Sequence, residues 1–408
     1  PMSAPHPDEP SLAALTPREQ CMRILHLATY YHPHWTGLTK YAQRLAEGHA
    51  ARGHQVSVLT SRHEPALPTR ERVNGVDVYR LRTAARISRG VLMPSFPGAA
   101  RELIRRHDIV VVHVPMLETW LITSLARGLE RPAVVVNHGD LIMPVGGFNQ
   151  LVQKSLRWLM SKGLKNAAAV TTHSSDYAEH SEFMRPFQEK ITAIYPPVEI
   201  PRADSAAMNA LRARLGVGDA PVVGFAGRFV EEKGFDYLLQ AVPLIAKEIP
   251  EVRFAFAGER NVVYEDFYGR WAHLFEQEPD RIASLGLLTD ERELATFYAM
   301  CDAFAIPSRT DCFPSVQVEV MLSGTPVVTT DIPGARVAVQ VTGAGLLVKP
   351  KDPEALAAGL VRVLRNPEEF THSRAEIEAV LGIERSLEAY ERLFERLAEA
   401  QPRRPAVA

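Results

Sequence analysis

Two cations and two carboxylates in this sequence have the types and spacing to manage a charged leaving group. Arg228 and Lys233 stand in "GFAGRFVEEKGF", Gly224 to Phe235, directly after a short apolar run. Gly224 and Gly227 let the backbone approach a ligand closely, and a helix opening at Lys233 and Gly234 would point its first amides outward. An arginine and a lysine on such a loop make a phosphate clamp. The alternative is a glycine turn carrying two solvated cations. The stretch has neither the Gly-Lys-Ser/Thr of a Walker loop nor the spacing of a dinucleotide fingerprint.

The carboxylates lie in "PSRTDCFPSVQVEVMLSGTPVV", Pro307 to Val328. Asp311 falls in a loop after the apolar run "DAFAIPS", and Glu319 sits inside "VQVEVML", where burying a carboxylate is costly. Ser315 is placed to cap a helix reaching about Leu322, with Gly324 as its stop. The first amides of that helix, near Pro314 to Gln317, could then hold a second side of a diphosphate. A purely structural reading has Asp311 capping a turn and Glu319 in a salt bridge. That is awkward for Glu319, whose sequence neighbours are Val318 and Val320. No serine in the stretch has a general base beside it, and Cys312 reads most simply as a small buried residue.

Two loops of the first half complete the set. In "VVVNHGDLIMP", His138 comes just past an apolar run and Gly139 frees the backbone, so His138 faces either a cleft ligand or a neighbouring loop. In "TYYHPHWTGLTKY", Gly37 begins a helix that Thr36 or Thr39 could cap, with Lys40 one position further on. His32 and His34 lack partners at zinc-ligand spacing.

The elements that must carry these residues alternate. From Met22 the runs "MRILHLATYY", "HQVSVLTS", "GVDVYRL", "DIVVVHV", "AVVVNHG" and "AAVTTHS" read as buried strands, separated by stretches of helical period. A Pro-rich break, "IYPPVEIPRADS", precedes a second strand–helix series. Alternation in both halves predicts an α/β protein of two Rossmann-like, doubly wound parallel-sheet domains facing across a cleft, with ligands at the carboxyl ends of the strands. The expected domains are 22–200 and 201–380, with a helix over 381–400 and tails at 1–21 and 401–408.

The 408 residues, 46% hydrophobic and 23% charged, suit a folded two-domain chain rather than a disordered one. Cys21, Cys301 and Cys312 form no disulfide or zinc pattern, which points to a reducing compartment. The N-terminal stretch lacks the pattern of a signal peptide, and no run reads as a transmembrane span. Net charge is −2, yet residues 22–200 hold 22 Lys and Arg against 14 Asp and Glu. "FNQLVQKSLRWLMSKGLKNAAAV" interleaves Leu151, Leu156, Trp158, Leu159 and Leu164 with Lys154, Arg157, Lys162 and Lys165. That pattern fits a helix lying on an anionic membrane, or equally a core-facing helix with a solvated basic side. No nucleic-acid partner is expected.

Taken in order, these blocks resemble a family 4 glycosyltransferase of the GT-B fold. The resemblance runs from about Met22 to Tyr390 and is most specific in Asp311, Glu319 and "SGTPVVTTDIPG". It implies a retaining transferase that takes a UDP- or GDP-linked sugar as donor and requires no cofactor or metal. Arg228 and Lys233 would bind the donor diphosphate. Glu319 would hold the ribose, and Asp311 with the backbone of Cys312, Phe313, Pro314 and Ser315 would hold the donor sugar. Gly227 and Val316 would line the donor site, and "IASLGLL", which contains Leu285, would frame the base. Thr36, Gly37, Lys40 and His138 would form the acceptor side. The absence of any Asp-x-Asp pair, the metal–diphosphate holder of the other large transferase class, agrees with a cationic clamp.

Two positions depart from the family pattern: Asp311 stands where Glu is usual, and Thr36 where a Gly-Gly pair is common. The shorter Asp311 arm puts the donor-sugar preference in question. The acceptor is expected to be a sugar or a lipid-linked molecule in cell-surface polysaccharide or glycolipid assembly, and the location cytoplasmic, at the inner face of the membrane. The alternatives are a sugar-nucleotide epimerase of the same fold, a phosphorylase-like enzyme needing a pyridoxal lysine, and a non-catalytic nucleotide-sugar-binding module.

Overall fold

A computed structural model describes residues 21–87, 90–140, 147–260, 262 and 265–400. The expected tails, apart from Cys21, lie outside the described residues.

Among the described residues the first half builds ten strands: β1 (Arg23–Leu27), β2 (Gln55–Arg62), β3 (Arg70–Val73), β4 (Val76–Arg82), β5 (Ala85–Ile87), β6 (Gly90–Leu92), β7 (Ile109–Val114), β8 (Ala133–Asn137), β9 (Ala169–Thr172) and β10 (Ile191–Ala193). Eight of them form one sheet in the order β10-β9-β8-β7-β1-β2-β4-β3, and β5 pairs with β6 in a separate hairpin. All neighbours in the large sheet run parallel except β3 and β4. The central strands β7 and β8 are buried along their whole length because helices cover both faces. The sequence reading passes over β3, β5, β6 and β10. They are short, and β3 ("RERV") is a charged edge strand without the buried-strand pattern.

The second half forms β11 (Val222–Ala226), β12 (Arg253–Ala257), β13 (Ile282–Gly286), β14 (Ala303–Ile306), β15 (Val327–Thr330) and β16 (Gly345–Val348). Their order, β13-β12-β11-β14-β15-β16, is that of a Rossmann sheet, and all pairs are parallel. Each half thus has a switch point where the winding reverses: β1 beside β7 in the first, β11 beside β14 in the second. Loops leaving these strands diverge and open a crevice.

The last helix, Ile383–Glu399, returns to the first half. Its Leu387, Tyr390, Leu393 and Phe394 are buried in one cluster with Ile24, Tyr41, Leu45 and Val111. Before it, Val198 bridges to Gly382, so the Pro-rich break is clamped against the returning chain. The helix Phe235–Glu248 runs on through Pro243.

Candidate active site

The loops after β11 and β14 meet at a glycine. Gly234 has φ +66°, and a Cβ there would lie 1.9 Å from the carbonyl oxygen of Pro307. This close approach lays one loop on the other and brings the Lys233 ammonium 2.5 Å from Asp311 Oδ2. Burial opposes the charge on Lys233, but Asp311 and then Glu232 outweigh it and hold the ammonium above its ordinary pKa. Arg228 bonds Glu232 at 2.7 Å. Lys233 itself sits in a single 3-10 turn, Glu231–Lys233, ahead of the α-helix that Gly234 starts.

The Asp311 loop is pinned from its other side. Asp311 bridges to Gly334, whose φ is +85° and whose Cβ would fall 2.3 Å from the Cys312 carbonyl oxygen. The Gly334 amide in turn donates to Asp176, which also takes Arg336, so this loop is tied to the first half. The following helix spans Ser315–Leu322. Ser315 does not cap it. Pro314 holds the N-cap position, no side chain caps the turn, and the opening amides of that turn are left without a side-chain acceptor. Phe313 is a core side chain packed beside Tyr195, and Val316 and Leu285 pack against the same core. Of Phe313, only the backbone could face a ligand.

Glu319 has the salt bridge that its local sequence makes awkward. Arg44 comes from the helix Gly37–Ala51 of the first half and donates to Glu319 at 3.0 Å, while Tyr298 donates from the other side at 3.2 Å. Arg44 also reaches the Glu199 carbonyl and Glu291, and Lys40 bonds Glu291 at 2.8 Å while lying over the Trp35 ring. Burial disfavours the Arg44 charge, but Glu319 and Glu291 raise its pKa. Thr36 caps this helix through a reciprocal bond with Thr39, and a Cβ on Gly37 would meet nothing. A cavity of about 840 Å³ opens beside this cluster, lined in part by Trp35, Lys40, Glu291, Leu322 and Arg374. Its lining does not include Arg228, Lys233, Asp311 or His138, so it lies apart from the Lys233–Asp311 pair.

Across the crevice stands His138. Its carbonyl accepts from Cys312 Sγ at 3.1 Å, and Gly139 lies against the same thiol. Burial, then the charge on Asp311, pushes the thiol pKa up, so Cys312 is a poor nucleophile. His138 does not stand alone. His113 Nδ1 is 3.0 Å from His138 Nε2, and His26 Nδ1 is 3.1 Å from His113 Nε2. His173 abuts the His138 ring and lies 3.5 Å from Cys312 Sγ. Burial lowers the pKa of all four, with neighbouring imidazoles adding to it for His26, His113 and His138. His113 falls to about 3, and His173 to about 4 with Asp311 opposing.

Sequence reasoning missed Arg44, Tyr298, His26, His113 and His173. For the histidines a signal exists: "LHL", "VHV", "NHG" and "THS" put one histidine in or just past each of four strand runs. Those runs become four adjacent strands, β1, β7, β8 and β9.

Comparison with known proteins agrees with this fold. A glycosyl transferases group 1 domain matches residues 220–366, and a glycosyl transferase 4-like domain matches residues 36–197. The chain belongs to the family 4 glycosyltransferases. A glycosyltransferase of Methanocaldococcus jannaschii is 27% identical to this transferase, with 84% of this chain and 89% of the relative covered. A D-inositol 3-phosphate glycosyltransferase of Kineococcus radiotolerans is 29% identical over 81% of this chain and 83% of its own. Among solved structures, sucrose-phosphate synthase from Thermosynechococcus elongatus superposes with a TM-score of 0.75 at 20% identity, covering 93% of this chain and all of its own. Anabaena HepE, in complex with UDP-glucose, gives a TM-score of 0.73 at 19% identity over 92% of this chain and all of its own. The transferase therefore has the GT-B fold of two Rossmann-like domains.

Proposed function

We propose that this transferase moves a sugar from a nucleotide-diphosphate donor, UDP- or GDP-linked, to an acceptor hydroxyl with retention of anomeric configuration. The observation that carries the reading is the Lys233–Asp311 pair, with Arg228 beside it, at the β11/β14 switch point. Arg228 and Lys233 neutralise the leaving diphosphate, assisted by the uncapped amides that open the Ser315–Leu322 helix, so charge stabilisation comes from the chain's own cations. Asp311 holds the donor-sugar hydroxyls. Glu319 anchors the ribose once Arg44 yields it, and the β13 edge around Leu285 frames the base. Thr36, Gly37, Lys40 and His138 belong to the acceptor side. HepE, solved with UDP-glucose, shares the fold, which favours a nucleotide sugar as donor.

A double displacement needs a free nucleophile on the face opposite the leaving group. Asp311 is engaged by Lys233, and Cys312 is held as a thiol. Front-face substitution fits better. The bond from C1 to the phosphate oxygen breaks with its electron pair leaving on the diphosphate. The acceptor oxygen bonds C1 on the same face, and its proton passes to the departing phosphate oxygen. Positioning and electrostatics supply the rate.

The acceptor reading rests on an exposed aromatic pair. Trp120 and Trp158 are 41% and 53% exposed, and their rings meet edge-to-face 5.7 Å apart. Leu151 is exposed on the same helix, Gly147–Asn166, and Lys162 lies over Trp158. Arg157 instead turns to the Phe183 ring. Indole rings with Lys162 over one of them, on a helix that also carries Lys154 and Lys165, suit an anionic bilayer surface and a lipid-linked acceptor, in polysaccharide or glycolipid assembly at the cytoplasmic face. No helix among the described residues is long and apolar enough to cross a membrane.

Thermal-shift titration with UDP- and GDP-sugars, followed by NMR of the product's anomeric proton, tests the transfer. A selective upward shift and a retained anomer are expected. No shift with any nucleotide sugar, or an inverted product, overturns it. Co-sedimentation with vesicles with and without anionic lipid tests the surface, with binding that salt weakens as the expected result.

A further inference from the structure

The imidazoles His26, His113 and His138 are joined nitrogen to nitrogen, and a chain of neutral imidazoles can carry its protons in only two registers. In one, His26 Nδ1–H donates to His113 Nε2, and His113 Nδ1–H donates to His138 Nε2. In the other every proton is reversed: His138 Nε2–H donates to His113, His113 Nε2–H donates to His26, and His26 keeps its own proton on Nε2. The His26 end decides between them. His26 is fully buried, and its Nε2 has no hydrogen-bond partner among the described residues. An orphaned buried N–H is costlier and rarer than a bare lone pair. The first register leaves only a lone pair at His26 Nε2, whereas the second strands an N–H there.

We propose that His113 and His26 are positioning residues that fix His138 as the Nδ1–H tautomer, so that His138 meets a ligand in the crevice as a hydrogen-bond donor. The ligand class is an oxygen acceptor: a hydroxyl or ring oxygen of the bound sugar, or an oxygen on which negative charge grows during transfer. The chain spends the other nitrogen of His138, and the ring plane is set by edge contact with Tyr41 at 4.6 Å and His173 at 5.2 Å. Tyr41 is itself fixed by a 2.6 Å bond to Tyr390 of the returning helix. Burial keeps the imidazoles neutral, so the arrangement persists without a charged partner. Among the described residues no three or more His, Cys, Asp or Glu side chains are arranged to hold a metal ion, and these nitrogens face one another in line instead of converging.

The role of His138 in the crevice rests on the proposed transfer reaction, but its tautomer does not. The full chain, labelled with ¹⁵N-histidine and assigned by His→Gln substitution, is observed by long-range ¹H–¹⁵N correlation without substrate. His138 is expected to show a protonated Nδ1 and an unprotonated Nε2, the reverse of the form favoured by free imidazole side chains. His113→Leu is expected to move His138 to a majority of Nε2–H. It is also expected to lower kcat by about tenfold with donor KM little changed, the scale of losing a group that orients an active side chain. His26→Leu, which touches the relay only at its far end, leaves a mixture of the two forms. A wild-type His138 with its proton on Nε2, or a folded His113→Leu chain with an unaltered His138 spectrum, overturns the proposal whether or not transfer is ever observed. If His113→Leu fails to fold, the wild-type spectrum and His26→Leu decide alone.

Discussion

The chain builds the same crevice twice and fills the two in opposite ways. At the β11/β14 switch point the polar groups are ions: Lys233 with Asp311 and Arg228 with Glu232, with Arg44 on Glu319 nearby. At the β1/β7 switch point they are neutral imidazoles, His26 and His113 fully buried and His138 at the crevice end. Both solve the problem that a polar group in a dry site must be paired. On the proposed reaction, the ion pairs hold charge ready for an anionic ligand, because a diphosphate can take the carboxylate's place. Imidazoles in line carry no net charge, so they can direct hydrogen bonds without competing for that anion. On the proposed reaction, one wall of the cleft handles charge and the other handles orientation.

The largest effect should come from unpairing the buried ions. Arg44→Met leaves Glu319 buried without its cation and is expected to cost about 3–5 kcal/mol in urea unfolding. The double variant Arg44→Met/Glu319→Gln should recover most of that loss, as a coupled pair requires. Equal losses in the single and double variants would mean that the pair is not what holds the two halves together there.

Next, Lys233→Ala is expected to lower kcat by on the order of 10²-fold at saturating donor, the scale for losing a preorganised charge partner. Near-normal turnover would remove Lys233 from the charge-handling wall.

The imidazole wall should show itself in acid. His113 and His173 titrate near 3 and 4 in the fold against about 6.5 in an unfolded chain, so unfolding takes up protons in between. Stability should be level above about pH 6.5 and fall as pH drops toward 4, by about 1.4 kcal/mol per unit for each such histidine. Asp108, Asp176 and Glu291, whose pKa values the fold lowers mainly against burial through Arg23, Arg336 and Lys40, push the same way only at lower pH. Melting temperatures measured across this range check it, and a curve flat down to pH 4 would contradict neutral burial.

The smallest effect is expected at Asp311→Glu. Lengthening the arm by one methylene should change kcat by less than about tenfold while shifting the ranking of donor sugars, since small pocket changes are worth about 1–3 kcal/mol. An unchanged ranking would place the sugar preference elsewhere.

Much of this was legible in the linear order. Alternating apolar runs and helical periods are local properties, so the two Rossmann-like halves follow from them. The loops holding Arg228, Lys233, Asp311 and His138 announce themselves by glycine and charge. The Ser315 cap was misassigned because a serine before an apolar run is a good cap only if the chain turns there, and Pro314 turns it one residue earlier. The Arg44–Glu319 pair spans 275 residues, and nothing near either residue hints at the other. The histidines were each visible at a strand end, yet their adjacency depends on strand order, which alternation alone does not specify.

By itself the sequence determined the fold class, the family and the cations of the crevice, because periodicity, glycine placement and charge act over a few residues. Only the tertiary structure decided who pairs with whom: Lys233 with Asp311, Arg44 with Glu319, and His26 through His113 to His138. Those pairings come from parallel strands laid side by side and from two halves closing on each other. Contacts of that kind join residues distant in the chain, and their energies depend on burial that no local window contains.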